Sequence, residues 1–460
     1  MMNYLFFASG THHHVSGTIT ALFTVLLVGM IVTLALEEKI HAKKSIIVGV
    51  FAFVSLFLAT VFGILPYVWL KKMNLHMPIY IPAVDWGVIS IILGSSLFVD
   101  VTSNSGLFTW IAIKLTKASK GDPLKLLIYY SVMTVLFSAV LNNVTAMIIV
   151  GALTGVSLNK LEQRDKLLGF LLIEGLLTNI GGLLTLISSV PNIIVGKAAG
   201  ISFLKFFLIS SPYVVIATIV TIYVGAKFFK ITPLKDEKEQ KKAAELIESF
   251  DENNDIKSQS FFWFGVVMTI LFILTIASTS VLPYLKDLGM GFVAMAFALI
   301  MLLRFKSEAN KFYQEIDWDL IGFFIALFIV INVMEHAQVL ALIGSGIEVM
   351  LKLGKTLGTT ALLLSSSAFS SVTDNIPLSA MLAKILSHRT GTTQQMWWSV
   401  IFGANLGGNI TPIGSASTLV AVTIIHNNKL TLSFADFVKK ALPFALIQIT
   451  LATIYVLIFL

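Results

Sequence analysis

The chain has 460 residues, of which 56% are hydrophobic and only 12% charged, where a soluble domain carries about 25% charge. Its mean hydropathy is +0.88, and soluble cores stop growing at about 250–300 residues, so a single water-soluble globule is excluded and lipid is the expected solvent. A net charge of +7 reads as basic loops at a membrane face rather than a nucleic-acid surface, and zero cysteines exclude disulfides, thiolate metal sites and thiol catalysis.

The first sixteen residues are polar and aromatic. Their His12–His14 triplet reads as a solvated tail. The apolar run 17–36 has no small-residue cleavage site and is expected to stay as a membrane helix. A spanning helix takes about 20 apolar residues. Further spans are expected at 45–70, 84–103, 167–196, 204–229, 260–281, 289–304, 317–338, 396–425 and 440–460. Segments 104–119 and 340–356 are weaker and amphipathic, suited to short spans or interfacial helices. Segments 125–157 and 358–388 are each broken midway by a polar cluster, Leu141-Asn-Asn-Val-Thr and Thr373-Asp-Asn-Ile-Pro. That pattern predicts two helical hairpins that enter and return on one side. Residues 230–259 form the one long polar stretch, expected to be a solvated linker with a short helix at Ala243–Phe250. The predicted organisation is a tail and first helix (1–44), a first repeat (45–229), the linker (230–259) and a second repeat (260–460).

The two halves repeat each other. Asp317-Trp318 lies 232 residues after Asp85-Trp86, and Asn375 lies 232 after Asn143. The stretch opening at Ala404 matches the one opening at Thr178, 226 residues earlier, and Ser433-Phe434 matches Ser202-Phe203. The landmarks keep their order, as a duplicated transporter fold requires.

The repeated polar stretches are the candidate site. Backbone inside hydrocarbon must find partners, so a non-helical segment survives there only when protein covers it or a wet cavity adjoins it. Thr178–Asn192 holds Asn179, Gly181, Gly182, Ser188, Ser189, Pro191 and Asn192. Ala404–Thr418 holds Asn405, Gly407, Gly408, Asn409, Thr411, Pro412, Ser415 and Ser417. Glycine pairs and prolines predict a broken helix in each. A break frees amides that suit an anion and carbonyls that suit Na⁺. The same glycines and hydroxyls also permit close helix packing. At the hairpin turns, Asn142, Asn143, Thr145, Asp374, Asn375 and Pro377 are candidates, although Asn and Asp also cap helices. Asp374 is singled out because a carboxylate at membrane depth is costly. Glu174, one helical turn before Thr178, is read as a group that titrates or pairs with Lys197. Glu335-His336 is read as interfacial and Trp397-Trp398 as a belt anchor.

At these motifs the chain resembles the ion transporter superfamily, in particular the citrate-transporter-like group that includes the melanocyte P protein and the arsenite permeases. Leu141-Asn-Asn-Val-Thr is similar to that group's Leu-Asp-Asn-Val-Thr hairpin, and Thr178-Asn-Ile-Gly-Gly…Pro191-Asn192 to its Thr-Asn-Ile-Gly-Gly…Gly-Asp-Pro-Pro-Asn stretch. Asp374-Asn-Ile-Pro and Gly407-Gly-Asn-Ile-Thr-Pro-Ile-Gly-Ser resemble the second-half counterparts. The resemblance covers about residues 45–460. It implies an all-α polytopic fold of two inverted repeats, about five spans each, with two re-entrant hairpins and two broken helices around the site. It also implies a homodimer and elevator-type movement. Asn142 stands where the group has Asp, and Ser188-Ser189-Val190 where it has Gly-Asp-Pro. The loss of two acids tilts the site toward neutral oxygens, as in Na⁺-coupled anion symport.

The expected function is secondary active transport of a small anion, such as a di- or tricarboxylate, driven by Na⁺ or H⁺. An efflux or antiport carrier, for arsenite-like oxyanions or for Na⁺ against H⁺, is the alternative. A channel or intramembrane enzyme is the remaining class. No nucleophile–base pair or HExxH spacing supports an enzyme. No cofactor is expected beyond the coupling ion, and no nucleic acid. The expected location is the inner (plasma) membrane, crossed several times.

Overall fold

The computed structural model describes residues 15–65, 78 and 80–460; His12–His14 and the end of the 45–70 run lie outside them. The longer helices, in chain order, are α1 (Gly17–Ala35), α2 (Lys44–Val61), α3 (Trp86–Ser103), α4 (Leu107–Ser119), α5 (Pro123–Val140), α6 (Asn143–Lys160), α7 (Leu167–Gly181), α8 (Val190–Ala198) and α9 (Phe203–Phe228). They continue with α10 (Glu237–Glu248), α11 (Gln259–Ser278), α12 (Leu285–Arg304), α13 (Trp318–His336), α14 (Val339–Leu351), α15 (Lys355–Val372), α16 (Asn375–His388), α17 (Gln394–Gly407), α18 (Ala416–Asn427) and α19 (Phe434–Phe459). Among the described residues no strand occurs. Nine helices among them are long and apolar enough to cross a membrane: α1, α2, α3, α5, α9, α11, α12, α13 and α19. The chain is thus an all-helical, multi-pass membrane protein. The 13-residue α4 and α14 reach about 20 Å at 1.5 Å per residue, short of a hydrocarbon core of about 30 Å.

The chain divides into two compact units, and each takes residues from both halves of the sequence. The first gathers residues up to Ile89 with Asp317–Lys352. In it α2 packs along α13, and α1 packs on α2 and α14. The Ser45 N–H and hydroxyl both donate to Asp319 Oδ1, at 3.2 and 2.5 Å, which pins the start of α2 to the start of α13. Asp85 accepts from the N–H groups of Gly87 and Val88, and Asp317 from that of Leu320. The repeated Asp-Trp pair is therefore a repeated helix start. Ile46, Val50, Phe53, Phe57 and Val61 all lie exposed along one face of α2. A stripe of that kind suits lipid and not water.

The second unit holds Ser90–Ile316 and Leu353–Leu460. Helix α5 turns into α6 at Leu141-Asn142, and α15 into α16 at Thr373-Asp374, so a helix–turn–helix forms at each polar cluster. Each hairpin is followed by a broken helix (α7 with α8, α17 with α18) and then by a 26-residue helix (α9, α19). Ser202 and Ser433 cap those last helices, accepting from the N–H groups of Lys205 and Asp436. Their shared Ser-Phe pair is again a helix start. Small residues bring the helices together. At Gly94 an added Cβ would lie 2.5 Å from the Ala294 carbonyl carbon, so α3 and α12 touch backbone to backbone. Gly289 takes φ +77 and interrupts α12, which starts the apolar span there, as expected.

Most residues of the linker are exposed, and its helix differs in extent from the Ala243–Phe250 expected. Helix α10 begins earlier, because Asp236 caps it by accepting from the Lys238 N–H. One face of it is buried through Ala243 and Ile247. Asp122 accepts from the Leu234 N–H, Lys242 pairs with Glu162 at 2.9 Å, and Lys114 and Lys117 both clamp Glu252. Lys-rich composition marked this stretch as polar; it did not reveal that its partners are the ends of α4 and α6.

Candidate functional site

Both broken helices lie in the second unit and are built alike. Helix α7 ends at Gly181, and α8 starts at Val190 with Pro191 in its first turn, where a missing N–H is harmless but a continuous helix is prevented. Helix α17 ends at Gly407 and α18 starts at Ala416. Side chains take up the carbonyls freed between. Ser188 donates to the Gly182 and Thr185 carbonyls (2.6 and 2.8 Å), and Asn192 Nδ2 to the same two (2.6 and 3.0 Å). Thr418, the counterpart of Asn192, lies 3.4 Å from the Gly408 carbonyl.

Each break is tied to its own hairpin by the same two bonds. Ser138 donates to the Thr178 carbonyl at 2.7 Å, and Ser370 to that of Ala404 at 2.6 Å. Thr185 donates to the Ala139 carbonyl at 2.6 Å, and Thr411 to that of Ser371 at 2.5 Å. Glycine makes this approach possible. A Cβ on Gly181 would fall 2.6 Å from the Val135 carbonyl oxygen, and one on Gly407 only 2.3 Å from that of Ser367. A Cβ on Gly182 would strike the Asn143 amide at 2.8 Å. The second arm of each hairpin packs on the other half: α6 against α18, and α16 against α8.

The two breaks cross reciprocally. Asn179 Nδ2 donates to Ser415 Oγ at 2.9 Å, while Ser189 Oγ donates to Asn405 Oδ1 at 2.8 Å. Asn405 and Ser415 are the matched residues of Asn179 and Ser189, so one contact is made twice. Asn179 also donates to Asn409 Oδ1 at 2.8 Å and accepts from Asn143 (3.4 Å) and Ser417 (3.3 Å). Asn405 donates to Asn192 Oδ1 at 2.9 Å. The Thr178 and Ser417 hydroxyls stand 2.9 Å apart. Asn179, Asn192, Asn405 and Asn409 are each at most 1% exposed. This is a neutral, mutually satisfied cluster with no formal charge among its members, and its four asparagines are buried. Two helix starts open beside it. The N–H groups of Ser189 and Val190, and of Ser415 and Ala416, have no acceptor within the described chain.

The hairpin turns are less uniform. Asn142 is exposed and accepts from the Thr145 N–H at 2.7 Å, which is a helix cap. Asp374 likewise caps α16 through the Ile376 N–H at 3.0 Å, and Pro377 sits in that helix's first turn. Asn143 is bonded to Ser138 and Asn179, while the half-exposed Asn375 amide makes no hydrogen bond within the described chain. The crossing therefore gathers Asn143, Thr178, Asn179, Ser189, Asn192, Asn405, Asn409, Ser415 and Ser417. Among the described residues Asn142, Thr145, Asn375 and Pro377 make no hydrogen bond to that cluster.

A family model described as a citrate transporter matches residues 32–403. The chain belongs to the citrate transporter family. A 46 kDa membrane protein of Mycobacterium leprae is 30% identical over 81% of this chain and 86% of its own length. The P protein of Mus musculus is 22% identical over 95% of this chain and 62% of its own. The crystal structure of the YdaH transporter of Alcanivorax borkumensis aligns with a TM-score of 0.57 at 12% identity, covering 90% of this chain and 98% of that one. Its likeness concerns the fold. As a member of the citrate transporter family the chain is a transporter and not an enzyme.

Three cluster members escaped the sequence reading. Gln448 of α19 accepts from Asn409 Nδ2 at 2.8 Å and donates to Thr221 of α9 at 3.1 Å. A lone amide in an apolar 26-residue helix was the available signal. Ser138 and Ser370 stand 232 residues apart, the offset of Asn143 and Asn375. Glu174 takes Thr154 as its hydrogen-bond partner, at 2.7 Å.

Proposed function

We propose that the chain is a secondary active transporter of a small anion of the di- or tricarboxylate class, driven by a Na⁺ or H⁺ gradient. The reciprocal crossing of the two breaks carries this reading. It sets two helix starts, each worth about half a positive charge, beside hydroxyl and amide groups that are out of water. Carboxylate oxygens match the unpaired N–H groups of Ser189, Val190, Ser415 and Ala416. Asn, Ser and Thr oxygens match a hard cation. The family's description as citrate transporters supports a carboxylate solute. On this reading residues 45–229 and 260–460 are inverted repeats, 1–44 adds the first helix and 230–259 joins them. The hairpins are re-entrant, and the protein works as a homodimer in the inner membrane by elevator-type movement.

Purified protein in proteoliposomes tests the proposal. Preloaded citrate should drive counterflow of labelled citrate, and an imposed Na⁺ or pH gradient should drive its accumulation. Failure of citrate, succinate and malate alike to exchange would sink the carboxylate reading. Exchange of arsenite-like oxyanions in their place would favour an efflux carrier.

A further inference from the structure

We propose that the turn between α1 and α2 is a binding site for the headgroup of an ethanolamine phospholipid, its phosphate held by Lys43 and His41 and its ammonium by Asp319.

The ends of three membrane-spanning helices meet at this turn. Helices α1 and α2 are consecutive spans, so residues 36–43 between them lie at a membrane face. The Ser45 N–H and hydroxyl both donate to Asp319 Oδ1, which brings the start of α13 to the same face. His41 takes a left-handed φ of +50, ending the single helical turn Glu37–Ile40 and letting the chain reverse into α2. An open cavity of about 360 Å³ results, lined by Glu37, His41, Ala42, Lys43, Lys44 and Asp319. All six belong to the first compact unit. Two apolar stripes run to it. Val25, Val28, Val32 and Leu36 lie exposed at one-turn spacing on the side of α1, and Ile46, Val50, Phe53 and Phe57 on the side of α2. Acyl chains along those stripes place their headgroups at the turn.

The charges of the cavity are unevenly used. Lys44 pairs with Glu37 at 3.6 Å. Asp319 spends Oδ1 on the two Ser45 donors, while its Oδ2 accepts no hydrogen bond within the described chain. The exposed side chains of Lys43 and His41 have no hydrogen-bond or ionic partner there. The cavity therefore offers an ammonium and an imidazole N–H to an anion, and one carboxylate oxygen to a cation. A phosphodiester accepts from Lys43 and His41, and a primary ammonium donates to Asp319 Oδ2. Both contacts are charge-assisted, and basic sites between the ends of spanning helices are a recurring mode of headgroup recognition. The ethanolamine headgroup joins one phosphate to one primary ammonium by a short link. A choline headgroup has no N–H to give Asp319. A glycerol headgroup carries net negative charge and would set it beside Glu37 and Asp319 with no cation of its own.

The test measures lipid bound to the full-length protein in detergent by native mass spectrometry. From an equimolar mixture of phosphatidylethanolamine, phosphatidylcholine and phosphatidylglycerol, wild type should retain the ethanolamine lipid about threefold over each of the others, the worth of one half-exposed charged contact. K43Q should retain less of it by a similar factor. D319N keeps the Oδ1 that accepts from Ser45 and loses only the charge, so it should fold and bind ethanolamine and choline lipids equally. Equal retention of all three lipids by wild type overturns the proposal, and so does a preference for the glycerol lipid, which would make the turn a plain basic surface. An ethanolamine-to-choline ratio unchanged in D319N also overturns it, since the selective contact would lie elsewhere. Soluble phosphoethanolamine separates a lipid site from one for a free phosphate compound. Mixed micelles of the ethanolamine lipid should raise the melting temperature of wild type more than that of K43Q, and phosphoethanolamine alone should raise neither; the reverse result overturns the lipid assignment. No readout involves a transported solute, so the outcome is independent of the anion-transport reading.

Discussion

Asn143 and Asn375 occupy matched places in the duplicated chain, yet their side chains are held differently. Asn143 is bonded to Ser138 and Asn179, whereas the Asn375 amide is half-exposed and unbonded within the described chain. Replacing Asn143 by alanine removes two hydrogen bonds, each worth about 0.5–1.5 kcal/mol, while Ser138 keeps the Thr178 carbonyl and Asn179 keeps Ser417. N143A should lower the melting temperature in detergent and abolish citrate counterflow. N375A removes no internal bond, so its stability should stay within about 0.5 kcal/mol of wild type, while counterflow falls at least tenfold. Unchanged counterflow in N375A would remove the second hairpin from the site. The offset in the sequence made both asparagines legible as a pair. It did not separate the embedded one from the open one, because that depends on how closely each arm approaches its broken helix. Gln448 was hidden for a related reason: its partner Asn409 is set by helix packing, and no spacing along the chain encodes it.

At the scale of elements, the hairpins and breaks were legible because Gly-Gly, Pro and Asn clusters interrupt apolar runs at bilayer depth. The docking of the linker was not, since charge composition predicts solvation and says nothing of a docking partner. Its anchor is Glu252, whose carboxyl is held down at about 2 by hydrogen bonds from Lys114 and Lys117. A carboxylate with a depressed value stabilises the folded form fully above its ordinary value and loses that contribution as pH falls through the depressed one. The docking of α10 should therefore be as firm at mildly acidic as at neutral pH, and should loosen only in strong acid. Hydrogen exchange across Glu237–Glu248 checks this. E252Q should raise exchange there at every mildly acidic or neutral pH while leaving α7 and α17 unaffected. An exchange rate in E252Q equal to wild type would mean that Ala243 and Ile247 hold the helix without the clamp.

For the whole molecule, chain order is a poor guide to which helices form a unit, because each compact unit takes members from both halves. The duplication nonetheless dictates that a contact from one break to the other is made twice, as Asn179 to Ser415 and Ser189 to Asn405. Such a crossing is bistable in principle: its groups satisfy one another when closed and are exchanged for solute and ion when open. If transport requires the breaks to part, fastening them must stop it. The Thr178 and Ser417 hydroxyl oxygens are 2.9 Å apart, so the two side chains face each other and cysteines there stand within reach of a disulfide, and the natural chain has no cysteine to compete. T178C/S417C should cross-link in mild oxidant, lose citrate counterflow, and regain it with reductant. The comparison is made within one protein, so any fixed loss from the two substitutions cancels. A fully cross-linked double variant that exchanges citrate as fast as its reduced form would mean that α7 and α18 stay together throughout the cycle, and the solute would then have to pass elsewhere.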